Sequence, residues 1–170
     1  PGRFDDFVTD PQWGDFRVWA PGDKSLTFWG AGSEETISGP EVYDGLYRGW
    51  GIYCDPGPIT IRIEGIRFEN LDRAGVLLYS ENVEIENCIF EKCYGSFSSF
   101  NEESVTITNC QFFNSLESSS KAMFCRARHV DISGVLVQNC RSGLMCDFYG
   151  TNDISVTNCI FDGGEGGLSG

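Results

Sequence analysis

The chain is short of positive charge, of histidine and of closely spaced cysteines, and each shortage closes off a class of function. Lys and Arg number 12 against 25 Asp and Glu, for a net charge of −13. Such a field repels phosphate backbones and anionic headgroups, so no nucleic-acid partner is expected. No apolar run reaches roughly 18 residues, and the opening "PGRFDDFVTDPQW" has neither a basic stretch nor an apolar one behind it. No membrane insertion is expected, and no export signal is read there. The chain starts at Pro1 without a Met, which fits a processed product or an excised fragment. His129 is the single histidine and no C-x-x-C occurs, so a zinc cluster lacks its usual ligand pairs.

What is present is a repeat. Five segments align: "ITIRIEGIRFENL" from Ile59, "NVEIENCIFEKC" from Asn82, "SVTITNCQFFNS" from Ser104, "HVDISGVLVQNC" from His129 and "DISVTNCIFDGG" from Asp153. With Ile61, Val83, Val105, Val130 and Ile154 as equivalents, the steps are 22, 22, 25 and 24 residues. Each segment opens with apolar residues at alternate positions, the period of a half-buried strand. Gly65, Asn87, Asn109, Gly134 and Asn158 follow, residue types that accept a bent or left-handed backbone, so the chain turns a corner there. Beyond the corner, Ile66, Cys88, Cys110, Val135 and Cys159 form one inward column, and Phe68, Phe90, Phe112, Val137 and Phe161 form another.

A third strand recurs as "GIYC" at Gly51, "GVLL" at Gly75, "GSFS" at Gly95, "AMFC" at Ala122 and "GLMC" at Gly143. A unit of three strands and no helix cannot bury its own apolar side, so it must stack on copies of itself at about 4.8 Å. The expectation is an all-β solenoid, a single-stranded parallel β-helix with three short strands in each coil of 22–25 residues. One domain spans 1–170: irregular N-terminal turns over 1–57, regular coils over 58–164 and a glycine-rich tail over 165–170. The N-terminal turns hold strands at Phe16 to Trp19 and Leu26 to Trp29, then an inserted loop, "PEVYDGLYRGW".

Stacking gives the eight cysteines a role as small apolar side chains in buried columns, with Cys88 over Cys110 and Cys125 over Cys146. A disulfide-bonded set remains the alternative. Asn87, Asn109 and Asn158 are placed to hydrogen-bond from coil to coil.

The motifs "V-x-I-x-N-C-x-F-x-x-C" and "L-T-F-W-G-A-G-S-E-E-T", between Leu26 and Gly164, resemble the right-handed parallel β-helix superfamily, the pectin-lyase-like proteins with their carbohydrate-binding and sugar-hydrolase repeats. The resemblance implies the fold and a choice of roles, from polysaccharide lyases, hydrolases and epimerases to viral tailspikes and non-catalytic surface or filament proteins. The aspartate and histidine motifs of polygalacturonases and the arginine-proline motif of pectate lyases are absent, which argues against an enzyme.

Two surfaces are candidates for function. On the outer face of the first strand, Glu64 and Glu86 sit on adjacent coils beside Arg62 and Glu84, with Asp131 further along; such carboxylates suit acid catalysis or a calcium ion, and no other cofactor is expected. On the third strand, Tyr53, Leu77, Phe97, Phe124 and Met145 are expected to face outward as an apolar stripe larger than a monomer leaves bare. Three covers are weighed: Phe4, Phe7 and Trp13 folding back, a neighbouring subunit, or sugar rings on Tyr53 and Phe97. The leading expectation is a non-catalytic extracellular or cell-surface protein that self-associates into an oligomer or filament through stacked strands and this stripe. Polysaccharide binding, and then an enzyme on acidic glycans, are the alternatives.

Overall fold

A computed structural model describes residues 2–4, 16–18, 25–38, 51–54, 60–71, 74–100, 103–115, 121–146, 153–163 and 166–169. Within them the chain winds three parallel sheets around one apolar interior, visiting sheets C, A and B in turn on each coil. Sheet C holds β3 (Leu26–Trp29), β6 (Thr60–Glu64), β9 (Asn82–Glu86), β12 (Ser104–Thr108), β15 (His129–Ser133) and β18 (Asp153–Thr157). Sheet A holds β1 (Gly2–Phe4), β4 (Thr36–Ser38), β7 (Arg67–Glu69), β10 (Ile89–Glu91), β13 (Gln111–Phe113), β16 (Leu136–Gln138) and β19 (Ile160–Asp162). Sheet B holds β2 (Phe16–Val18), β5 (Ile52–Cys54), β8 (Ala74–Leu78), β11 (Gly95–Phe100), β14 (Lys121–Arg126), β17 (Ser142–Cys146) and β20 (Gly166–Ser169).

Period-two alternation decides which side chains enter the core. Leu26, Ile61, Val83, Val105, Val130 and Ile154 are successive register partners, as are Phe28, Ile63, Ile85, Ile107, Ile132 and Val156. The residues between them face solvent. Two corners close each coil. At the first, Gly65, Asn87, Asn109, Gly134 and Asn158 all take φ between 53° and 67°. At the second, Asn70, Lys92, Asn114, Asn139 and Gly163 take φ between 51° and 74°. Left-handed backbone is cheap for Gly and tolerable for Asn, which is why these types recur there. Gly134 has a further reason: a Cβ there would lie 2.6 Å from Asn109 Oδ1 on the preceding coil. An amide-to-amide bond runs at the second corner, where Asn139 Nδ2 donates to Asn114 Oδ1 at 3.1 Å.

The core packs aromatic rings against a groove of small residues. Phe68, Phe90 and Phe112 stack with centroids 5.0 and 4.8 Å apart and interplanar angles of 17° and 2°. Opposite them, sheet B begins each inward run with Gly51, Gly75, Ser96, Ala122 and Gly143, all buried. A Cβ on Gly51 would approach Phe68 Cδ1 to 2.7 Å, and one on Gly75 would approach Phe90 Cδ1 to 2.8 Å. The rings therefore dictate the small column.

Two expectations need correction. "GSFS" was aligned one residue early: Gly95 pairs with Ala74, and Phe97 pairs with Val76 and Met123. The small column is met by Ser96, Phe97 points inward and is 1 % exposed, and Ser98 takes the outer place. A one-residue slip exchanges the two faces of a strand. In the glycine-rich tail, Gly166–Ser169 pairs with β17 as the last strand of sheet B. Finally, Phe4 lies in β1, in sheet A, not over the outer face of sheet B. The inserted loop "PEVYDGLYRGW", Phe7 and Trp13 lie outside the described residues.

Cys54, Cys88, Cys93, Cys110, Cys125 and Cys140 are buried free thiols, and Cys159 is a partly buried one. Burial pushes the Cys93 thiol up to about 12 and raises Cys110 and Cys140. The hydrogen bond with Cys110 lowers Cys88. Sealed inside the wall, these sulfurs have no access to a substrate.

Among the described residues, the core also holds two hydroxyls, Ser96 Oγ and Ser99 Oγ, that find no hydrogen-bond partner. Ser99 shares its column with Leu78 and Cys125. Ser99→Cys should therefore stabilise the fold by about 1 kcal/mol, since an unpartnered buried hydroxyl costs about 1–3 kcal/mol. A thermal midpoint about 2–4 °C higher is the expected reading.

Candidate functional site

The inward columns leave three outward faces, each with its own chemistry. Sheet C presents a polar face. One outer row runs Trp29, Glu64, Glu86, Thr108, Ser133 and Thr157, and the next runs Thr27, Arg62, Glu84, Thr106, Asp131 and Ser155.

Arg62 gathers the acidic group expected to be catalytic or calcium-binding. Its Nη2 lies 3.2 Å from Glu64 Oε2 and 2.9 Å from Glu86 Oε2, and its Nη1 lies 3.5 Å from Glu84 Oε2. The guanidinium thus stands where a shared proton or calcium ion was expected. Asp131 is exposed two coils beyond Glu84, apart from this group. Further along, His129 Nδ1 sits 3.0 Å from Asp153 Oδ2. Among the described residues, no group of three or more His, Cys, Asp or Glu is arranged to hold a metal ion.

Sheet A carries a second ionic cluster, more enclosed than the first. Arg67 pairs with Glu69 at 3.1 Å, with Glu34 at 3.5 Å and with Glu91. The Glu69 side chain is only 12 % exposed against 29 % for Glu64. This cluster ties β7 to β10 across adjacent coils and reads as a structural clamp.

Sheet B carries the aromatic face. Tyr53, Leu77, Ser98, Phe124 and Met145 are register partners in one outer row and are all half-buried. Four of the five residues expected in the stripe are therefore there, and Phe97 is not. The next outer row adds Tyr79 and Phe100, which sequence reading passed over although they simply continue the alternation two residues beyond Leu77 and Ser98. Tyr79 and Phe100 stack at 5.2 Å with 14° between planes, Phe100 meets Phe124 at 5.2 Å, and Tyr53 meets Tyr79 edge-on at 6.3 Å. Arg126 lies 5.4 Å above Phe100, and Lys121 5.1 Å above Phe124. Tyr79 and Phe100 each spend one face on the other. Stacking on sugar rings needs open faces, so this row suits it poorly.

The coil built from β18 and β19 differs from those before it. Ile154 sits in the inward column that holds Val130 at 2 % exposure and Val105 at 0 %, yet it is 50 % exposed itself. Val156, Cys159 and Phe161 on the same coil are only partly buried. Among the described residues, β18 pairs with β15 alone in sheet C.

A family model described as a right-handed beta helix region matches residues 32–169. No curated protein matches the chain. No solved structure matches it either.

Proposed function

Since the chain belongs to the right-handed beta helix family, we propose that it is a non-catalytic structural β-helix, working outside the cell, that associates with further copies of itself through the apolar row on the outer face of sheet B. The run of Tyr53, Leu77, Phe124 and Met145 along that row carries this reading. A contiguous apolar strip of this kind marks a surface that a partner covers. Fully burying one such side chain contributes about 1.5–3 kcal/mol, and the neighbouring Tyr79 and Phe100 add to it.

Light scattering from sub-micromolar to high micromolar concentration is the test. The wild type should grow with concentration while Leu77→Lys stays monomeric, because a charge in the middle of the row cannot be buried against a partner. A wild type that is monomeric throughout removes the proposal.

One observation favours a second reading, glycan binding. Trp29 is 72 % exposed at the head of the row that continues through Glu64, Glu86 and Thr108. An indole face beside carboxylates and hydroxyls at about 4.8 Å spacing offers stacking and hydrogen bonds to an extended saccharide. A glycan array comparing wild type with Trp29→Ala separates the two readings, since Trp29→Ala should lose any signal without changing association.

A further inference from the structure

Burial alone does not account for the placing of the cysteines. Cys88 and Cys110 sit on successive coils in equivalent surroundings. Cys88 Sγ lies 3.3 Å from the Glu86 carbonyl oxygen and 3.7 Å from that of Ile63. Cys110 Sγ lies 3.3 Å from the carbonyl oxygen of Thr108 and 3.8 Å from that of Ile85. Glu86 and Thr108 are register partners, and so are Ile63 and Ile85. Two sulfurs fixed alike to equivalent carbonyls stand one coil apart, about 4.8 Å.

That separation is wrong for one bond and right for another. A disulfide needs sulfurs about 2.05 Å apart and Cβ atoms about 3.8 Å apart, which the ladder spacing opposes. A metal ion bonded in line to two thiolates at about 2.3 Å each, the length of a zinc–thiolate bond, asks for about 4.6 Å.

We propose that Cys88 and Cys110 form a linear two-thiolate site for a soft d10 cation of the Cu(I) class, held between successive coils. Thiolates are the soft donors that select such ions over calcium or magnesium. Loading replaces two S–H protons, released to water, with two metal–sulfur bonds, and no electron is transferred. A monovalent ion leaves one net negative charge on the pair. The Cys88 backbone N–H, directed at Cys110 Sγ from 3.5 Å, faces that charge. Entry requires the coils to open transiently, and the same enclosure then shields the bound ion from competing thiols.

The spacing also says where such a site does not form. Cys159 adopts the same setting, 3.2 Å from Thr157 O and 3.7 Å from Ile132 O, but the Val135 coil separates it from Cys110. Cys93 and Cys140 each lie 3.6 Å from the carbonyls of Glu91 and Gln138, which are two coils apart in sheet A.

Silver(I), a soft d10 ion stable in air, is the probe. Reduced protein is loaded with it, challenged with excess glutathione, desalted and weighed by native mass spectrometry. Wild type should keep bound silver. Cys110→Val, which installs the residue already present in this column at Val135, should keep one ion fewer, and Cys93→Ser should keep as many as wild type. Cys88→Val reads the same loss if Cys110→Val does not fold. X-ray absorption should show two sulfur neighbours and no nitrogen or oxygen at bonding distance. Wild type that retains no silver, or a Cys110→Val protein that retains as much as wild type, overturns the site.

Discussion

Phe90→Ala is expected to remove most of the stability of the molecule. The ring is fully buried and stacked on both faces, against Phe68 and Phe112. Truncating a buried phenylalanine costs about 3–5 kcal/mol, and each aromatic pair adds about 0.5–1.5 kcal/mol beyond its buried area. A loss of about 5 kcal/mol compares with a total of about 5–15 kcal/mol for an ordinary domain. In a stacked repeat it also severs neighbour contacts on both sides at once. Urea unfolding followed by circular dichroism measures it. Phe113→Ala, one residue beyond the partner Phe112 and half-buried on the outer face, should shift the midpoint far less.

The second large effect runs in the opposite steric direction. Gly75 leaves no room for a side chain, because even a Cβ would lie 2.8 Å from both Phe90 Cδ1 and Ser96 O. One of those obstacles is backbone, which cannot rotate away. Gly75→Val should cost about 3 kcal/mol, at the upper end of overpacking penalties, and its thermal midpoint should fall well below that of wild type. Gly95→Val tests the register at the same time: a Cβ there meets nothing within 4 Å, so its cost should be small. Had the sequence alignment of "GSFS" been right, the two glycines would occupy one column and the two variants would suffer alike.

That pair of glycines marks where reading the sequence reaches its limit. Strands in sheets C and A were legible because Val, Ile and Phe alternate with polar residues and Asn or Gly punctuates each coil at one fixed place. The third strand carries weaker punctuation. Gly95 and Ser96 are both small, and only the register with the neighbouring coils, in which Gly95 pairs with Ala74 and Phe97 with Val76 and Met123, decides which of the two adjacent small residues faces inward. A second bend near Cys93 is legible, but its column is not: Lys92 stands at φ 51° where its equivalents are Asn70, Asn114, Asn139 and Gly163, so the column does not look uniform in one dimension.

The candidate site was legible in part. Alternation placed Arg62, Glu64, Glu84 and Glu86 on one face, but it says nothing about side-chain direction. The structure turns Arg62 into the centre of the group, and so changes an acidic cluster into an ion-paired one. Trp29 was visible as a residue of "LTFWGAG", and its exposure of 72 % follows from its place in the outer row with Glu64.

The central claim is that the cysteines are stacked, reduced members of one apolar wall. Counting thiols with a chromogenic disulfide reagent, without added reductant, tests it most directly. Slow, partial reaction of the native protein and reaction of all eight thiols in denaturant are the expected results. A denatured count that falls short of eight by pairs would mean a disulfide framework, and would contradict both the packing of the columns and the spacing on which the metal site rests.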